Sequence, residues 1–245
     1  MARRDLPPPP TPDEAAIAHS KALTQRIDAA IAMAGGQLDF ADYMALALYA
    51  PGLGYYSAGQ QRFGPGGDFT TAPLMSDLLA RTLAAEVAAV MADVSGDTLI
   101  EFGAGTGQLA ADLLDELALQ EALPAHYWII EVSADLRATQ AQTLAVLPEA
   151  IQARVRWLDR LPSDPVRGVV IANEVLDAMP VQRFQRTASG VDALGVGIDD
   201  NGELSWRTRP ADDALAEAVA GIEDDIGERL ANGYVSEWCP SLGPW

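Results

Sequence analysis

The chain has 245 residues, 49% of them apolar and 21% charged, which is enough to bury a sizeable core. Its net charge of −19, with no basic stripe to interrupt it, excludes an ordinary nucleic-acid surface. The single cysteine, Cys239, excludes an internal disulfide, and no apolar run reaches the roughly 18 residues needed to span a membrane, so neither membrane nor nucleic acid is expected as a partner.

Residues 1–10 carry a proline tract where a signal peptide would have its apolar region. A mobile proline-rich tail on a bacterial-type cytoplasmic chain, without signal or transit peptide, is expected. Thr11-Pro12-Asp13-Glu14 has the form of a helix start, with Thr11 as N-cap, and the helix should stop at Gly35-Gly36. A second helix is predicted over 40–49, ending before Pro51. Residues 51–73 mix glycine, proline and aromatics and read as a loop, followed by an alanine- and leucine-rich helix over 76–94.

The next stretch carries the chemistry. Thr98 to Phe102 reads as a buried strand, Gly103, Ala104, Gly105 and Gly107 as a tight turn, and Leu109, Leu113 and Leu117 as one face of a helix. Such a unit presents backbone N–H groups at a helix N-terminus beside the carboxyl end of a parallel strand, where α/β sheets bind nucleotide-like ligands. The dinucleotide spacing would need a third glycine at position 108, which is Gln108. Glu101, two residues before the first glycine, is awkward for a pyrophosphate and suits a ligand with positive charge. S-adenosylmethionine (SAM) has a sulfonium, an ammonium and no phosphate. Residues 126–132 read as a second buried strand ending at Glu131 and Val132, where an acid takes ribose hydroxyls, and Ser133 should cap a helix over 134–146. A third strand over 155–159 ends at Asp159, placed to face an adenine amino group or simply to be solvated. A fourth, over 168–172, leads into Asn173 and Glu174, where a methyl acceptor would lie. Residues 191–198, a turn at Asp199-Asp200-Asn201-Gly202 and residues 204–208 form a hairpin candidate, and a helix over 211–231 follows. The chain thus divides into a tail (1–10), a helical extension (11–96), a SAM-binding core (97–184) and a hairpin-and-helix part (185–245). No metal-ligand cluster is expected, and oligomeric state is not legible.

Four ordered segments resemble the MidA family of class I SAM-dependent methyltransferases, which includes a mitochondrial complex I assembly factor that methylates a protein arginine. They are Tyr43-Met44 through Tyr49-Ala50-Pro51-Gly52 to Tyr56, Gly67-Asp68-Phe69-Thr70-Thr71-Ala72-Pro73, Leu99 to Gly107, and Ala172-Asn173-Glu174 to Val181. The resemblance runs from about residue 40 to the end. It implies an α/β, Rossmann-like class I sheet with a helical N-terminal extension and a hairpin insertion, SAM as cofactor, and a basic, arginine-containing protein as partner. In two respects the sequence departs from the family pattern: Leu74 stands where the family often has glutamate, and the final strands of a seven-stranded sheet are not found, so a fragment is expected.

A guanidinium stays charged, so carboxylates must hold its fork and localise charge away from the attacking nitrogen. Glu174 is the first catalytic candidate and Asp68 the second, although Asp68 could instead fold its glycine loop over the cofactor. Gly67 and Asn173 join the cofactor-binding set. Asp177 reads better as a helix cap. A small-molecule methyltransferase and a non-catalytic assembly protein with the same fold are the alternatives.

Overall fold

The computed structural model describes residues 11–57 and 72–245. The predicted tail, Gly67 and Asp68 therefore lie outside the described residues. In chain order the elements are α1 (Glu14–Met33), β1 (Leu38–Asp39), α2 (Phe40–Tyr49), α3 (Ala72–Met75), α4 (Leu78–Asp93), β2 (Thr98–Phe102), α5 (Gln108–Leu119), β3 (His126–Ile130), α6 (Ala134–Leu144), α7 (Glu149–Gln152), β4 (Val155–Leu158), β5 (Gly168–Ala172), a 3-10 turn (Leu176–Ala178), β6 (Gln182–Arg186), β7 (Val191–Ile198), β8 (Leu204–Pro210), α8 (Asp213–Ile226) and β9 (Val235–Trp238). They gather into two units, Met1–Ala58 with Met179–Trp245, and Gly59–Ala178.

The second unit is built on a parallel sheet in the order β4-β3-β2-β5. This is the α/β, Rossmann-like arrangement that the alternation of strands and helices implies. Its first strand, β2, is buried on both faces because a parallel sheet is covered, and Leu99 and Ile100 are fully buried. Leu109, Leu113, Leu114 and Leu117 of α5 and Ala80, Ala84, Val87 and Met91 of α4 pack into one core with Tyr127 and Ile129. Four strands form this sheet among the described residues.

The other unit holds an antiparallel sheet in the order β1-β7-β6-β9, with β8 paired to the remaining edge of β7. The hairpin expected over 191–208 is its centre. Asp199 carboxylate accepts the N–H groups of Asn201 and Glu203, and Gly202 takes φ +81. Strands β1, β6 and β9 escaped the sequence reading. β1 has two residues, and Gln-Arg-Phe-Gln-Arg offers a single apolar side chain, Phe184, to mark β6. Only the sheet partners make these segments strands. One side of the sheet packs Val196 on Ile27 and Ile31 of α1, and Phe184 and Ala193 pack on Leu215 and Val219 of α8.

Several expected boundaries move for identifiable reasons. The cap of α1 is Asp13, whose carboxylate accepts the Ala16 N–H at 2.7 Å, in place of Thr11. Across the end of the stretch read as loop (51–73), Ala72–Met75 make a helical turn, and α4 begins at Leu78, two residues later than expected. The last helix is narrower than expected, capped by Asp212 and stopped by Gly227 at φ +73.

Candidate functional site

Parallel register brings the strand ends level. Phe102 pairs with Ile130 and with Ala172, and Ile130 pairs with Leu158. The residues that follow, Gly103, Glu131, Asn173 and Asp159, therefore emerge at one edge of the sheet. This is the carboxyl edge, where doubly wound sheets place ligands.

Within the glycine turn each position answers a different demand. Gly103 (φ +60) donates its N–H to the Ile130 carbonyl at 3.0 Å, which ties the turn to the end of β3. Gly105 sits at φ +55, and a Cβ there would meet no atom of the described residues within 4 Å, so its demand is left-handed backbone. Gly107 caps α5 at φ +83, and a Cβ there would crowd Gln140 Cα at 3.1 Å, so its demand is packing against α6. Ala104 is buried, and its carbonyl accepts the Gly107 N–H at 2.8 Å.

Glu101 is 2% exposed, and its Oε2 accepts the Tyr127 hydroxyl at 2.7 Å. Burial pushes its carboxyl up from 4.5 to about 7; the Tyr127 bond opposes this and the nearby Glu131 adds to it. Among the described residues no cation pairs with it. Tyr127 is raised well above its ordinary value, by burial first and then by Glu101.

Glu131, 5% exposed, is held by two donors. The Ser133 N–H reaches Oε1 at 2.9 Å and Gln140 Nε2 reaches Oε2 at 3.1 Å. Ser133 caps α6 as expected, accepting the Leu136 N–H. Val132, beside it, is exposed. Asp159 is also exposed and pairs with Arg137 at 2.7 Å. Arg137 donates to the Glu131 and Leu158 carbonyls as well, so one guanidinium braces the ends of β3 and β4. Asn173 is half-buried, and Glu174 is exposed with φ +55. A glutamate in the left-handed region is uncommon, and such strain concentrates at functional positions.

Sequence reasoning missed Gln140, Arg137, Tyr127 and Trp157, whose indole N–H donates to the Gln140 side chain. A signal existed for the first: Gln140 lies four residues before Leu144 on the buried stripe of α6, a place where an amide needs a reason. Among the described residues, no group of three or more His, Cys, Asp or Glu side chains could hold a metal ion, and no helix is long and apolar enough to cross a membrane.

A parallel sheet with a glycine turn, a buried acid near the end of its first strand and a second acid just after the next strand defines a Rossmann-like domain built for a nucleoside-bearing ligand. Residues 78–245 match the family described as "Putative S-adenosyl-L-methionine-dependent methyltransferase", and the chain belongs to that family, in its MidA branch. It is 45% identical to a COG1565 superfamily member from Burkholderia thailandensis crystallised with S-adenosyl-homocysteine, with a TM-score of 0.83 over 94% of this chain and 59% of that one. A native structure of a COG1565 superfamily protein from the same organism gives 43% identity and a TM-score of 0.81, over 95% and 58%. The chain is also 30% identical over 191 residues to protein arginine methyltransferase NDUFAF7 of Danio rerio, covering 68% of this chain and 45% of that protein. With the Caenorhabditis elegans homolog it shares 25% identity over 213 residues, covering 78% and 50%. The chain spans about half the length of the curated relatives it matches.

Proposed function

We propose that this chain binds SAM at the carboxyl edge of its parallel sheet and serves methyl transfer to a protein side chain, arginine first. The observation that carries the reading is Glu101, a buried carboxylate without a counter-cation among the described residues, beside a glycine turn whose Gly105 has no described atom over its Cα. Such an acid is costly on its own and is relieved by a cationic ligand. The chemistry of the donors fits: Glu101 for the ammonium, directly or through water, the glycine-turn amides with Ala104 for the amino-acid end, Glu131 with Val132 for the ribose, and Asp159 for the adenine amino group. Gly67 and Asp68 join the set on the family resemblance. When bound, the cofactor supplies a methyl group on a sulfonium.

The chain's own residues would align the acceptor and exclude water. Asn173 and Glu174 follow β5 at the same edge, and Glu174 makes no ion pair among the described residues. Its carboxylate can accept two guanidinium N–H groups and draw positive charge away from the attacking nitrogen. The related NDUFAF7 proteins, named as mitochondrial protein arginine methyltransferases, support arginine as the acceptor. The MidA resemblance of the sequence motifs extends the proposal to a role in respiratory-complex assembly, in the cytoplasmic setting the sequence leads one to expect.

Calorimetric titration with SAM and S-adenosylhomocysteine, beside Gly105→Val, tests the cofactor reading. Micromolar binding lost in the variant is expected, because valine is strained at positive φ. Labelled methyl transfer to arginine-rich protein fractions tests the acceptor. Glu174→Gln should keep cofactor affinity and lower transfer about a hundredfold. Normal affinity with no transfer to any protein fraction would favour a non-catalytic assembly protein.

A further inference from the structure

We propose that Gln140 is a positioning residue that presents the Glu131 carboxylate to a vicinal diol. The inference rests on the cofactor reading above, because a ribose is what supplies the diol.

Gln140 lies in α6 and is fully buried. A buried amide needs its donors and acceptor met, and all are. Its Oε1 accepts the Trp157 indole N–H at 2.8 Å. Its Nε2 donates to the Gly105 carbonyl at 3.0 Å and to Glu131 Oε2 at 3.1 Å. The orientation of this amide is set by its partners' chemistry. An indole N–H can only donate, so the amide oxygen must face Trp157. A carbonyl and a carboxylate can only accept, so the amide nitrogen must face Gly105 and Glu131. A flipped amide would set N–H against N–H on one side and oxygen against two oxygens on the other.

The consequence falls on Glu131. A carboxylate has about four acceptor sites, two on each oxygen. The Ser133 N–H fills one on Oε1, and Gln140 fills one on Oε2. One site remains on each oxygen, a pattern that matches two adjacent hydroxyls. The same amide reaches the Gly105 carbonyl, so the glycine turn and the ribose acid are fixed to one another through a single side chain. Thr143, one helical turn on, repeats the clamp by donating to the Thr106 carbonyl at 2.7 Å.

The test compares S-adenosylhomocysteine with its 2′,3′-dideoxy analogue on wild type and Gln140→Leu, by calorimetry. The proposal expects the variant to lose about tenfold in affinity for the natural ligand and less than about twofold for the analogue, since only a diol senses the carboxylate's orientation. A purely structural role would weaken both ligands equally, and that result, or no loss with either, overturns the proposal. Should Gln140→Leu fail to fold, Trp157→Phe removes the N–H that locks the amide while keeping a ring in the core. It should show the same selectivity at smaller size, and equal loss on both ligands overturns the proposal. Wild type binding neither ligand would instead remove the cofactor reading, and the proposal with it.

Discussion

The two units each bury charge, and they do so in opposite ways. In the antiparallel unit, Arg186 is 8% exposed and donates to both oxygens of Glu223, at 2.8 and 3.4 Å. Glu223 also accepts the Leu230 N–H, and Arg186 donates to the Gly190 carbonyl. Both charges there are answered from within the chain. In the parallel unit, Glu101 and Glu131 are as deeply buried, and their bonds come from uncharged donors. An ion pair closed on itself holds structure together. A buried acid met only by neutral partners leaves its charge for a ligand.

That contrast can be broken most forcefully at Glu223. Glu223→Ala strands a buried guanidinium and should destabilise the fold by about 3–5 kcal/mol, read by urea unfolding. A cost under about 1 kcal/mol would remove the distinction between the two sites. Glu101→Gln should do the reverse. Burial raises the Glu101 carboxyl from 4.5 to about 7, so the folded chain holds that proton where the unfolded chain has lost it. Wild-type stability therefore falls as pH rises from 4.5 to about 7 and stays lowered above. The glutamine variant should be more stable at pH 8 by up to about 3 kcal/mol, with the gain vanishing toward pH 4, and should bind SAM poorly. Thermal melts across that range would show it. Tyr127→Phe removes a bond to the carboxylate and should cost about 2 kcal/mol at pH 8. It should also move the midpoint of pH-dependent SAM affinity upward, because the bond that favours the ionised form is gone. The smallest effect belongs to Asp159, which is exposed and already paired with Arg137. Asp159→Asn should lower affinity about threefold, and no change at all would show that the adenine amino group is held elsewhere.

The same contrast explains what could be read from sequence. In the parallel unit, strand, glycine turn and acid are consecutive, so Glu101 and the turn were legible as a local pattern. Glu131 was legible because a strand end is a local event. Gln140 and Trp157 act across α6 and β4, and nothing in their own neighbourhoods names the partner. Arg137 was invisible for the same reason: it contacts three groups on two strand ends. In the antiparallel unit, β7 and β8 declare themselves through the Asn201-Gly202 turn. By contrast, β6 and β9 pair across the long span of α8, and their pattern is short and polar. Asp68 and Gly67 rest on the family resemblance.

Calorimetry of SAM binding at pH 7, in two buffers of different ionisation enthalpy, tests the central claim about Glu101 most directly. With a carboxyl near 7, about half a proton should leave for each cationic ligand bound, and Glu101→Gln should bind weakly and release none. Tight binding by wild type with no proton release, or equal affinity in the variant, would contradict the account.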